Sequence, residues 1–177
     1  MPRNKEPMPM DPVDQVVADW ARQRPDLDAS PIAIFGRVRR IADLAAGGLR
    51  GYLAPYGLTP GEFDLLCNLR RAGRPYRKTP SELAASALVT SGALTGRLDA
   101  LERDGLIRRR DHRADRRVSY AELTAAGRKL VDQVLEGHLA REEALLAGLD
   151  EADRKDIERA LALLERAIRE AGPRGGP

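Results

Sequence analysis

Six arginines stand between positions 108 and 117 (Arg108, Arg109, Arg110, Arg113, Arg116 and Arg117), set against Asp111 and Asp115 alone. Guanidinium groups at that density exceed what solubility requires and suit a polyanion, because each planar fork can hold a phosphate through two hydrogen bonds. Other chemistries lack their residues. The two histidines, His112 and His138, and the single Cys67 lie far apart. No Cys or acidic quartet has metal-ligand spacing, and no Ser-His-Asp set or Gly-rich phosphate loop is evident. His138 with Glu142 four residues on reads as a helix-surface or interface pair before it reads as a metal site. Cys67, within LLCNL, has no basic neighbour to lower its pKa and reads as inert packing. Neither enzyme activity, metal nor cofactor is expected.

The arginines need a scaffold, and the stretch from Thr79 to Thr124 supplies one. It reads as a short helix over residues 80–87, a turn at Leu88 and Val89, and a second helix from Thr90 or Ser91 to Asp104. A left-handed cap at Gly105 follows, then a hairpin whose turn spans 112–117 and whose return strand spans 118–122. That is the order of a winged helix-turn-helix, which presents its second helix to the major groove of DNA. Leu94, Leu98 and Leu101 form the buried stripe of that helix, leaving Gly92, Thr95, Gly96, Asp99 and Arg103 outside. The expected DNA contacts are Thr79, Ser91, Thr95 and Arg103, with Arg113, Arg116 and Arg117 at a ribbon tip suited to a narrow, electronegative minor groove. Asp115 would repel phosphate and is expected to orient a nearby arginine. Arg97 differs: the helical wheel sets it beside Leu94 and Leu101, where a guanidinium needs an anionic partner.

The rest of the 177 residues is rich in Ala, Leu, Arg and Glu and carries 4% aromatics, which favours a mainly α fold. Four helix starts pair a capping residue with proline: Asp11-Pro12, Ser30-Pro31, Thr59-Pro60 and Thr79-Pro80. Glu62 and Glu82 complete capping boxes at the last two. The first helix, about 12–23, places Val13, Val16, Val17 and Trp20 on one face. The second, about 31–53, is weakened in its middle by Gly47-Gly48, where a bend is expected. The third, about 60–72, buries Phe63, Leu66, Leu69 and Cys67 and turns Asp64 toward the polar side; residues 74–78 then read as a basic loop. Thr124 caps a helix to about 149 and Asp150 caps the last. The expected organisation is a disordered tail (1–10), N-terminal dimerisation helices (11–54), a DNA-binding region (55–123), C-terminal dimerisation helices (124–171) and a second tail (172–177). Long amphipathic helices on both sides of the DNA-binding region predict an intertwined homodimer. With one cysteine, no apolar run of membrane length and no signal-peptide core, a cytoplasmic location is expected.

The segments ELAASALVTSGALTGRLDALERDGLIRR and ADRRVSYAELTAAG resemble the MarR family of winged-helix regulators. The likeness extends over about residues 12–170. A narrower resemblance, to the urate-responsive branch, rests on the extra first helix with Trp20, on PDLDASPIAIFGRVRRI, on EFDLLCNLRRAG and on TSGALTGRLDALE. It implies a dimeric regulator, most simply a repressor, released from a pseudo-palindromic operator by urate or a related purine. The implied ligand set is Trp20, Asp64 and Arg97. A phenolic effector, or an oxidant acting at Cys67, is the alternative within the family. His112-Arg113 replaces the Asp-Pro usual before Asp-Arg-Arg, Val118 replaces a common glycine and Gly96 a common asparagine. These departures bear on operator preference.

Overall fold

The computed structural model describes residues 10–86, 94–111 and 119–172. The chain divides into two compact units, with the boundary in sequence between Asp64 and Leu65. The first unit holds α1 (Pro12–Gln23), α2 (Pro31–Leu53), a 3-10 turn (Ala54–Tyr56) and the start of α3 (Pro60–Arg71). Asp11 starts α1 by accepting from the backbone N–H groups of Val13 and Asp14, while the Asp14 carboxylate accepts from the backbone of Asp11. This is a capping box closed by aspartate. Arg37 of α2 pairs with both carboxylates, at 2.9 Å from Asp11 and 2.6 Å from Asp14, and so fastens the start of α1 to α2. Gly36 permits their close crossing, since a Cβ there would stand 3.0 Å from Val13 Cγ1.

One expectation is corrected in this unit. Ser30 does not cap α2 with its side chain; its backbone is already helical, and its hydroxyl and N–H both donate to Asp28 (3.0 and 2.9 Å). A nearby carboxylate has outcompeted the orphan helix amides for that hydroxyl. α2 remains helical through Gly47-Gly48 to Leu53. The cost of two glycines, about 1 kcal/mol each, is too small to stop a helix of this length.

The second unit completes α3 and adds β1 (Arg77–Lys78), α4 (Pro80–Ser86), α5 (Leu94–Arg103), β2 (Ile107–Asp111), β3 (Ser119–Leu123), α6 (Ala125–Leu145) and α7 (Glu151–Ala171). The strands form an antiparallel sheet in the order β1-β3-β2. Residues 77 and 78, expected to be loop, are a strand because they pair with Glu122 and Ala121. α4 packs on β1, β3 and α5, and α5 packs on β2. Leu69, Leu83, Leu98, Leu101, Ile107 and Val131 are among the residues that fill the core of this unit. The result is a mainly helical winged helix-turn-helix.

Thr124 caps α6 by accepting from the Gly127 backbone at 3.0 Å, and Asp150 caps α7 through Asp153. α6 stops at Leu145, short of the expected 149. Arg154 of α7 holds the corner by binding Glu143 at 2.8 Å and the carbonyl of Leu146 at 2.9 Å. The tails lie outside the described residues apart from Met10 and Gly172. No helix among the described residues is long and apolar enough to cross a membrane.

Candidate functional site

The helix α5 buries Leu94, Leu98 and Leu101 against the core and exposes Thr95, Gly96, Asp99 and Arg103. An outward face of small and polar groups can approach a groove closely. Its setting relative to the wing is fixed by Arg109 of β2. The Arg109 guanidinium pairs with Asp99 and lies 3.4 Å from Glu102, and its backbone N–H donates to Glu102 at 3.0 Å. The two acids of α5 nearest the wing are thereby offset by one cation.

Thr79 starts α4. Its backbone N–H donates to the Glu82 carboxylate at 2.7 Å and its hydroxyl accepts from the Glu82 backbone at 3.2 Å. That backbone hydrogen bond is the chief reason the Glu82 carboxyl sits below its ordinary pKa. Behind it, Lys78 donates to the fully buried Asn68 at 2.7 Å, joining β1 to α3. Ser91, Arg113, Asp115, Arg116 and Arg117 lie outside the described residues.

Trp20 is about half exposed, at 48%. It lines a cavity of about 250 Å³ with Leu27, Asp28, Ala29, Pro31 and Ile32. Asp64 is not on that wall, and it is half-buried where periodicity turned it toward solvent. Asp64 shares the less buried side of α3 with Pro60, Cys67 and Arg71, while Leu65, Leu66, Asn68 and Leu69 are fully buried. Arg97, in the second unit, is half-buried, and its Nη1 is buried with no hydrogen-bond partner among the described residues. A desolvated cationic N–H without an acceptor is costly, and an anion supplied from outside would satisfy it. Cys67 is half-buried, and His138 lies 3.3 Å from Glu142 along α6.

One cluster was not foreseen. Tyr76, whose backbone takes the left-handed φ of 60°, is held by hydrogen bonds from its own N–H to Gly73 (2.6 Å) and from Leu123 to its carbonyl (3.0 Å). The guanidinium carbons of Arg70 and Arg128 lie 5.2 and 5.8 Å from its ring centroid. Hydrogen bonding from Arg74 leads the causes that lower the phenol's pKa, followed among the lowering causes by the charges of Arg70 and Arg74 and by a bond from Arg128. The sequence offers Arg74 and Arg77 beside Tyr76, but nothing in it shows that Arg128, on a helix fifty residues on, joins them.

Residues 58–119 match the model of the MarR family. The HTH-type transcriptional regulator PecS of Dickeya dadantii is 34% identical over 156 residues, which cover 88% of this chain and 94% of that protein. The HTH-type transcriptional repressor YetL of Bacillus subtilis is 31% identical, over 78% of this chain and 82% of its own length. Among solved structures, Bordetella bronchiseptica BpsR, described with regulation of its DNA binding by 6-hydroxynicotinic acid, superposes with a TM-score of 0.67. The match covers 75% of this chain and 98% of that one at 22% identity, a likeness of fold.

Proposed function

The chain belongs to the MarR family of DNA-binding transcription regulators, not enzymes, and on that premise we propose that it is a cytoplasmic homodimeric repressor released from a pseudo-palindromic operator by urate or a related purine. Dimerisation is supported by apolar side chains left exposed along helices, such as Val38, Ile41 and Leu44 on α2 and Ile157, Leu161 and Ile168 on α7. Two recognition helices then enter successive major grooves with Thr95, Arg103 and Ser91 toward the bases, Thr79 toward the backbone, and Arg113, Arg116 and Arg117 toward the minor groove. Asp115 orients those wing arginines.

The observation that carries the effector reading is the buried Nη1 of Arg97 on α5, which has no hydrogen-bond partner among the described residues. An anion at Arg97 acts on the helix whose outer face reads DNA. Trp20 and Asp64 complete the proposed effector residues, the indole offering an exposed face to a planar heterocycle. YetL, a repressor, and BpsR, with its heteroaromatic acid, are consistent with this class of response. A differential affinity of ~1 to 3 kcal/mol between two dimer shapes weakens operator binding 5- to 150-fold. The test is a mobility-shift titration of the operator complex with urate. Release at micromolar to low-millimolar urate is expected, and a complex that survives that range rules urate out.

A further inference from the structure

The sheet register divides the wing's side chains between two faces. Ile107, Ala121 and Leu123 point into the core, and Arg109 lies on that same side, against α5. The pairings Arg77 with Glu122, Arg108 with Glu122 and Arg110 with Tyr120 put Arg77, Arg108, Arg110, Tyr120 and Glu122 together on the opposite face. Arg77, Arg108 and Arg110 are all exposed, so no other element covers this face among the described residues. Among the described residues the register gives this face one carboxylate, Glu122, and Arg108 is its ion-pair partner. Arg77 lies over the Tyr120 ring at 4.7 Å, and Arg110 flanks the same tyrosine from the other strand.

We propose that this outer face of the wing sheet binds the phosphodiester backbone of operator DNA outside the segment read by the recognition helices. The occupant follows from charge and spacing. β1 and β2 lie on either side of β3, and the two-residue offset between the pairings Arg77 with Glu122 and Arg110 with Tyr120 sets the Cα atoms of Arg77 and Arg110 about 12 Å apart. Exposed arginines spread across the width of three adjacent strands suit the successive phosphates of a polymer. A guanidinium stacked on an aromatic ring keeps its in-plane N–H donors available, so Tyr120 holds Arg77 ready without consuming its hydrogen bonds. The face is also continuous with the DNA-reading unit. β1 runs directly into Thr79 and the start of α4, and β2 carries α5 on its other side. Phosphate contacts of this kind add affinity and salt dependence without reading sequence.

This inference rests on the DNA-binding assignment, and its test separates the two. The full chain is used to select an inverted repeat from a random duplex pool. Anisotropy then compares the bare repeat with the same repeat extended by about ten base pairs on each side. At low salt the flanks tighten wild-type binding about tenfold and steepen its salt dependence. Arg77→Ala combined with Arg110→Ala binds the bare repeat within about twofold of wild type but gains little from the flanks, whereas Arg77→Lys with Arg110→Lys keeps the gain. An undiminished flank effect in the alanine variant, an equal loss on both duplexes, or loss of the gain in the lysine variant overturns the proposal. If the wild type binds neither duplex, the DNA-binding reading falls and this surface with it.

Discussion

Gly127, in the first turn of α6, lies directly against the backbone of Leu106: a Cβ at Gly127 would overlap the Leu106 carbonyl oxygen and stand 2.8 Å from its carbonyl carbon. Leu106 follows the recognition helix by way of Gly105, and the same turn receives Thr124, whose hydroxyl donates to the Gly105 carbonyl at 2.8 Å and whose N–H donates to that of Leu106 at 3.1 Å. The end of α5 is thus seated on the start of α6 by backbone that cannot yield as a side-chain tip would. Gly127→Ala is expected to destabilise the protein by about 3 kcal/mol, lowering the melting temperature by on the order of 10 °C. Thermal and urea unfolding measure it, and an unchanged midpoint would show that the α5–α6 seat has slack.

Arg109 is expected to matter more for DNA affinity than for folding. Exposed pairs of this kind contribute about 1 kcal/mol or less to stability, but Asp99 and Glu102 stand on the helix that faces a polyanion. Arg109→Ala leaves both acids uncompensated and should weaken operator binding about tenfold at low salt, an effect that screening reduces. In an Asp99→Ala background the same change should cost about threefold or less. Strictly additive losses in that double-mutant cycle would mean that Arg109 and Asp99 act independently.

Tyr76 gives a pH-dependent signature. Hydrogen bonding from Arg74 leads the causes that lower its phenol pKa, followed by the charges of Arg70 and Arg74. A depressed native pKa means that, between it and the unfolded value of about 10, the unfolded chain holds a proton that the native protein has released. Stability from this group is therefore fully present above the unfolded pKa and is lost as pH falls through the native one. Ultraviolet titration should show one of the four tyrosines ionising ahead of the others. That early phase should vanish in Tyr76→Phe and move upward in Arg74→Ala. Simultaneous ionisation of all four in the wild type would contradict the placement of these arginines.

The contrast between Thr79 and Tyr76 shows where sequence reasoning reaches. Thr79 caps α4 through a glutamate three residues away, and the α5 stripe of Leu94, Leu98 and Leu101 is set by helical period, so both are legible from local spacing. Tyr76 owes its environment to Arg70 on α3 and Arg128 on α6, and β1 exists only because Arg77 and Lys78 pair with β3. Ser30 carries the same cap-plus-proline signal as Thr79, yet Asp28 takes its hydroxyl. A capping residue is legible only when no nearer acceptor competes. For Asp64 periodicity finds the right side of α3, which Pro60, Cys67 and Arg71 share, but its depth of burial depends on neighbours that spacing does not show.

Arg97 yields the sharpest division between stability and response. Its Nη1 is buried without an acceptor among the described residues, so none of them offsets the desolvation of a cation there. Methionine has similar reach and no charge to desolvate. Arg97→Met should therefore leave stability unchanged or raise it by about 1 kcal/mol, and should keep operator affinity within a few-fold, because the side chain flanks the buried stripe and not the exposed face. If Arg97 receives the effector, the same variant should need at least about tenfold more urate for release, a loss near 1.4 kcal/mol of coupling. Unfolding midpoints and mobility-shift titrations on one preparation provide both readouts. Wild-type urate sensitivity in Arg97→Met would remove Arg97 from the response, and a destabilisation of about 3 kcal/mol or more would mean that the guanidinium is paired in the native protein and has no vacancy for an anion to fill.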